Sequence, residues 1–130
     1  MLPGQAQAAG PLHIAKIWYD SPGSDDRSAA SLNAEWVQIK NSTTKPVNLK
    51  GWTLTDASRH KYTFGAFTLK AGKTVTVKTG KGTNTNSTLF QQRGAYVWNN
   101  DKDTATLRRS TNAVHDTCSY NSTHYDYKNC

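Results

Sequence analysis

Glu35-Trp36-Val37-Gln38-Ile39-Lys40-Asn41 is the stretch that decides the fold of this chain. Val37 and Ile39 share one parity while Gln38 and Lys40 take the other, the two-residue period of a strand with one buried face. Trp36 falls on the outer parity and is expected at a sheet rim. Similar segments lie on both sides. From Leu12 to Tyr19 the phase changes, since Leu12 and Ile14 share one parity and Ile17 and Tyr19 the other. A bulge near Ala15-Lys16 returns both pairs to one core face. The stretch Val47-Asn48-Leu49-Lys50-Gly51-Trp52-Thr53-Leu54 changes phase at Lys50-Gly51, where glycine permits a bend. Val75 and Val77 oppose Thr74, Thr76 and Lys78. Ala105 and Leu107 are expected to pair with a return strand around Val114 to Cys118, through a turn at Ser110-Thr111-Asn112.

Between these segments lie turns. Asp20-Ser21-Pro22-Gly23-Ser24-Asp25-Asp26 reads as turn and loop, with a polar connection continuing to about Asn33. Leu69 to Lys73 reads as a tight turn, and Gly80-Lys81-Gly82 opens a long loop to about Thr88. No segment shows a helical period. Short strands separated by turn signals argue for a sandwich or a barrel on patterning alone. The length of 130 residues fits one domain, and four Trp, six Tyr and three Phe supply a core from a modest apolar fraction. No apolar run approaches the roughly 18 residues of a membrane span.

Three pieces, Glu35 to Asn41, Leu49-Lys50-Gly51-Trp52-Thr53-Leu54 and Asn100-Asp101-Lys102-Asp103-Thr104-Ala105-Thr106-Leu107, together resemble the lamin-tail domain family. The resemblance runs roughly from Ile14 to Tyr120. It implies an all-β, immunoglobulin-like β-sandwich of about seven to nine short, mostly antiparallel strands. The family occurs in nuclear lamins and in many secreted bacterial proteins, and the basic surface with its C-terminal cysteine pair is similar to the bacterial secreted type. The second strand departs from the family, carrying Gln38 where another acidic residue often stands. The expected organisation is a flexible tail over 1–11, the sandwich over 12–120, and a C-terminal tail over 121–130 tied back by a disulfide. Such a fold leaves the activity open, because function sits in the site.

Cys118 and Cys130 lie twelve positions apart and close a short C-terminal loop if oxidised. A disulfide is the expected state; the alternative is two separate thiols in a reducing compartment. Ala6-Gln7-Ala8 is similar to the end of a cleaved signal peptide, so a secreted domain with its signal removed is expected. An ordinary flexible tail reads the same residues equally well.

Sixteen Lys and Arg against nine Asp and Glu give a formal charge of +7. Lys70, Lys73, Lys78 and Lys81 cluster around one strand and its turns, with Arg93 downstream, a pattern suited to an anionic polymer such as nucleic acid or a cell-wall polymer. Lysines that merely solvate a sandwich and protect its edges give the same pattern. Asp20, Asp25 and Asp26 share a loop and are candidate calcium ligands, but the EF-hand spacing is absent and turn capping explains them. No metal or other cofactor is therefore expected. Glu35 is the sole Glu, read as a strand-end hydrogen-bond acceptor, with Asp25 or Asp56 the partners a glycosidase would need. His13, His60, His115 and His124 carry no local signature of an acid–base pair. Asn41-Ser42-Thr43, Asn86-Ser87-Thr88 and Asn121-Ser122-Thr123 match the glycosylation acceptor pattern and are expected at the surface. The reading that follows is a monomeric, non-enzymatic secreted interaction module that meets an anionic polymer or a protein partner. A purely structural extracellular domain and a small basic nuclease or hydrolase are the alternatives.

Overall fold

A computed structural model describes residues 12–20 and 26–130. The tail over 1–11 lies outside the described residues, as does Asp25. The elements in chain order are β1 (Leu12–Trp18), α1 (Ala29–Asn33), β2 (Trp36–Asn41), β3 (Val47–Asn48), β4 (Thr53–Thr55), β5 (Lys61–Thr63), β6 (Thr68–Leu69), β7 (Thr74–Lys78), β8 (Thr88–Phe90), β9 (Lys102–Arg108), β10 (Val114–Asn121) and β11 (Tyr127–Asn129). One sheet has the order β11-β1-β2-β7-β8 and the second β10-β9-β4-β5, with β3 and β6 forming a separate two-stranded ribbon. All pairings are antiparallel except β7 with β8.

The alternation read from the sequence is the one that packs. Val37, Ile39, Val75 and Val77 from the first sheet are fully buried and meet Leu54, Ala105 and Leu107 from the second. The phase change in β1 is a bulge: Ile14 pairs Ile39 and Lys16 pairs Gln38, so Ala15 is the extra residue. Both Ile14 and Ile17 thereby reach the core. The second phase change is made by Gly51 at φ +82°, a left-handed conformation that lets Leu49, Trp52 and Leu54 all turn inward. Trp36 takes the outer face, as its parity requires, on the central strand of the five.

Three elements lie where the sequence showed no periodic signal. Residues 29–33, expected as polar connection, form one helical turn capped by the Ser28 side chain, which accepts from the Ser31 amide at 3.1 Å. Five residues are too few for a helical period to register. β8 closes the long loop after β7, and β11, within the expected tail, adds a strand to β1. Both are three-residue strands held by tertiary pairing.

A second bulge stands opposite the first. In β10, Val114 pairs Arg108 and Asp116 pairs Leu107, leaving His115 as the extra residue. It re-aims two side chains across the sandwich onto β1. The Asp116 carboxylate accepts from the Ile14 amide at 2.8 Å, and the His115 Nε2 lies 2.8 Å from the Leu12 carbonyl. Arg109 Nε donates to His115 Nδ1 at 3.1 Å, which leaves Nε2 as the donor toward Leu12. Cys118 on β10 is bonded to Cys130 beyond β11, and the Cys130 amide donates to the carbonyl of the bulged Ala15 at 2.9 Å.

The surface expectation for Asn41 is overturned. It is fully buried, its Nδ2 donating to the Lys45 and Leu69 carbonyls at 2.9 Å and its Oδ1 accepting from the Thr43 amide and hydroxyl. A side chain so engaged ties β2 to the β3–β6 ribbon and is closed to modification. Asn86 and Asn121 are exposed.

Two stability outcomes follow. Gly51→Ala forces a Cβ into the left-handed region, 3.1 Å from the Ser110 Cβ, and should lower unfolding free energy by about 1–2 kcal/mol in urea titration. The paired Cys118→Ser/Cys130→Ser variant removes a crosslink spanning 12 positions and should lose about 3 kcal/mol by the same measurement.

Candidate anion-binding groove

The sandwich has two long sides. One is closed where β10 and β11 are joined by the disulfide and by the bridge onto β1. The other is bounded by the edge strands β5 and β8, and three hollows lie along it. The middle hollow, about 340 Å³, includes Tyr62 from β5 and Leu89 from β8, with Phe67, Asn84 and Thr85. It shares Ala66, Phe67 and Asn86 with a larger one of about 570 Å³, which Lys70 and Lys73 line from the β6–β7 turn. The third, about 290 Å³, lies at the other end of β5 between His60 and the stretch Arg93 to Tyr96. Among the described residues, no carboxylate lines any of the three. The groove thus has an apolar floor, amide and hydroxyl walls, and cationic groups at both ends. Burial raises the pKa of Tyr62 above its ordinary value, so its hydroxyl stays protonated.

Buried acceptors place the walls of this side. Glu35 is fully buried, and its Oε1 accepts from the Thr79 hydroxyl at 2.7 Å and the Val97 amide at 2.8 Å. It pins the end of β7 and the residue after Tyr96 to the start of β2. The hydrogen-bond acceptor expected from the sequence is therefore present, and its targets are 44 and 62 positions away. Tyr96 is anchored from the other direction: its hydroxyl lies 2.6 Å from Ser31 Oγ on α1 and accepts from the Arg27 amide at 3.1 Å. Asp103 accepts from the Ala57 and Thr104 amides at 2.8 Å and from Asn99 at 3.2 Å, fixing the approach to β9.

Asp56 does the same at the His60 end. Its side chain is fully buried, with Oδ1 accepting from the His60 amide at 2.7 Å and Oδ2 lying 2.6 Å from His60 Nδ1. The imidazole, whose side chain is 42% exposed, is held with Nε2 away from Asp56. Arg93 is braced beside it, Nη2 donating to the Lys61 carbonyl and Nε to Gln91 Oε1, both at 2.9 Å. Sequence reasoning missed this pairing. The four-residue spacing of Asp56 and His60 sits in a turn, where no period marks it; the only sequence signal was a carboxylate shortly before a histidine in a polar loop.

The basic residues expected to act together occupy four places. Lys70 and Lys73 line the large hollow, and Arg93 lines the His60 cleft. Lys81 is exposed in the loop after β7, where its carbonyl accepts from Asn33. Lys78 points to the outer face of the five-stranded sheet, with its Nζ 5.9 Å from the Phe90 ring. There the registers align Tyr127, Trp18, Trp36, Lys78 and Phe90 in one row. Trp18 stacks on Tyr127 at 5.2 Å and tilts against Trp36 at 5.9 Å, so these ring faces are spent largely on each other. Of the acidic loop, Asp26 caps the Ser28 amide at 2.9 Å, a bond that lowers its pKa, and Asp20 donates its amide to the Asp126 carbonyl. No group of three metal-ligating side chains converges among the described residues.

Two packed, mainly antiparallel sheets with the core between them define the chain as an immunoglobulin-like β-sandwich. The Lamin Tail Domain family model matches residues 5–122, and the chain belongs to that family. A search of curated proteins finds no match. The family is one of interaction domains of this fold.

Glu35→Ala strips two buried donors of their acceptor and should lower unfolding free energy by about 2–4 kcal/mol in urea. Glu35→Gln, which keeps one carbonyl oxygen, should lose about half as much.

Proposed function

We propose that the chain is a non-enzymatic extracellular interaction module that takes a linear anionic polymer along the β5–β8 side. The observation that carries this reading is the groove itself: Lys70 and Lys73 flank its largest hollow, Phe67 forms part of the floor, and no carboxylate among the described residues lines it. A formal charge of +7 adds a long-range attraction that raises encounter rates with any polyanion. The disulfide supports an oxidising location, because such bonds persist chiefly outside the cytosol. Nucleic acids and acidic cell-wall polymers share the chemistry that the groove fits, a repeated negative charge on a backbone with polar edges.

The test is titration of labelled single-stranded DNA, duplex DNA and heparin at low salt and at 0.15 M, where the Debye length is about 8 Å. Saturable binding that prefers one polymer and survives the higher salt is expected. The Lys70→Gln/Lys73→Gln pair should weaken it roughly tenfold and flatten its salt dependence, with the far-ultraviolet spectrum unchanged. Binding that treats every polymer alike and vanishes with salt would reduce the charge to a solubility device and direct the search to protein partners.

A further inference from the structure

The backbone marks one end of the groove more strongly than the rest. Among the described residues, Arg27, Arg59, Gln92 and Asn112 are the non-glycine residues with positive φ, at 60°, 71°, 63° and 75°. Asn112 sits in the β9–β10 hairpin turn, a common place for such a residue. The other three converge on one cleft. Arg59 immediately precedes His60, Gln92 immediately precedes Arg93, and the Arg27 amide is bonded to the Tyr96 hydroxyl. Each left-handed non-glycine residue carries a strain of about 1–3 kcal/mol, and such strain persists where the surrounding structure over-determines it.

The bonds that over-determine it are visible. Gln92 clamps Gly82 through both of its amide atoms, donating to the carbonyl at 2.7 Å and accepting from the amide at 3.3 Å. Buried Asp56 locks both the backbone and the ring of His60. With Nδ1 taken by Asp56, the ring presents Nε2, which has no protein partner among the described residues. Arg93 spends Nε and Nη2 on Gln91 and Lys61, and its Nη1 amino group is likewise without one. His60 and Arg93 therefore share a cleft of about 290 Å³ that no carboxylate lines among the described residues. The Asp56 carboxylate, fully buried behind the ring, orients His60 without occupying the cleft.

We infer that the cleft between His60 and Arg93 is a binding site for a single tetrahedral oxyanion, a phosphate or sulfate group. Two nitrogen groups of different geometry match such an ion: the guanidinium offers its remaining N–H donors, and the His60 ring, when it carries a second proton beside the one shared with Asp56, donates to another oxygen through Nε2. The volume accommodates the group and the first atoms of whatever bears it. The site is the His60 end of the groove and shares no lining residue with the Lys70 and Lys73 hollow, and its test uses free ions, so the two readings fail separately.

The experiment is a titration of uniformly ¹⁵N-labelled full chain with sodium phosphate and, separately, sodium sulfate, at ionic strength held constant with chloride. Histidine ring and arginine side-chain resonances are followed. Saturable shifts at His60 Nε2 and Arg93 Nε are expected, with exposed His124 as the internal control. His60→Gln and Arg93→Gln should each weaken the affinity at least tenfold, while Lys128→Gln, on the opposite side of the sandwich, leaves it unchanged. Stronger binding of one ion tells which group is the native one. Shifts that rise linearly without saturating, that are matched at His124, or that persist in both single variants would overturn the inference. Folding of each variant is read from the same amide spectra, and Arg93→Lys, which keeps the charge and loses the fork, should bind with intermediate affinity.

Discussion

The structure depends on how β1 is held. A strand that carries core residues in two phases cannot present both to one core unless it bulges, and a bulge loses ladder hydrogen bonds at that point. Here the groups around the bulge are taken up by the opposite sheet and by the C-terminus. The Ile14 amide goes to Asp116, the Leu12 carbonyl to His115, and the Ala15 carbonyl to the Cys130 amide. Two irregularities, one in each sheet, satisfy one another. The disulfide adds a covalent link at the same side. Closing that side positions the first sheet over the second, so that β5 and β8 face each other on the far side.

That far side is organised by carboxylates used as hydrogen-bond acceptors. Glu35, Asp56 and Asp103 are all buried, and each accepts from at least two donors in segments distant from it or in its own turn. A buried carboxylate is stable only with such bonds, because desolvating an unpaired charge is far more costly than losing a hydrogen bond. The loops from Gly80 to Asn99 contain few strand residues, and these acceptors take the place of ladder bonds in fixing them. The same use keeps these three acidic groups off the groove surface and leaves its lining to cations, amides and hydroxyls around an apolar floor.

The Tyr19 and Tyr120 rings on the closed side show the contrast. They stack at 3.7 Å, with hydroxyls donating to the Ser122 and Asn99 carbonyls. Burial raises both pKa values, aided for Tyr19 by the charges of Asp126 and Asp20 and for Tyr120 first by Asp103. The hydroxyls of this pair are consumed by the protein itself. On the groove side, His60 and Arg93 each retain a nitrogen without a protein partner among the described residues.

Much of the fold was written in the alternation. Val37 with Ile39, Val75 with Val77 and Ala105 with Leu107 announced their buried faces, and the phase changes at Ala15 and Gly51 announced bends. These features are local: a period of two and a glycine are properties of the chain that survive any tertiary arrangement. What surrounds them was not legible. α1, β8 and β11 are too short to carry a period and exist because a cap, a parallel neighbour or a crosslink holds them. Asn41 read as a surface acceptor and is buried, because nothing in Asn-Ser-Thr reveals that two distant carbonyls await its amide. The lysines of the groove were visible as charge, but only the packing separated Lys70 and Lys73 from Lys78 and set Arg93 beside His60. Sequence determined which residues face inward, since that is a matter of period. Tertiary structure decided which polar groups remain unspent, since that depends on partners far along the chain.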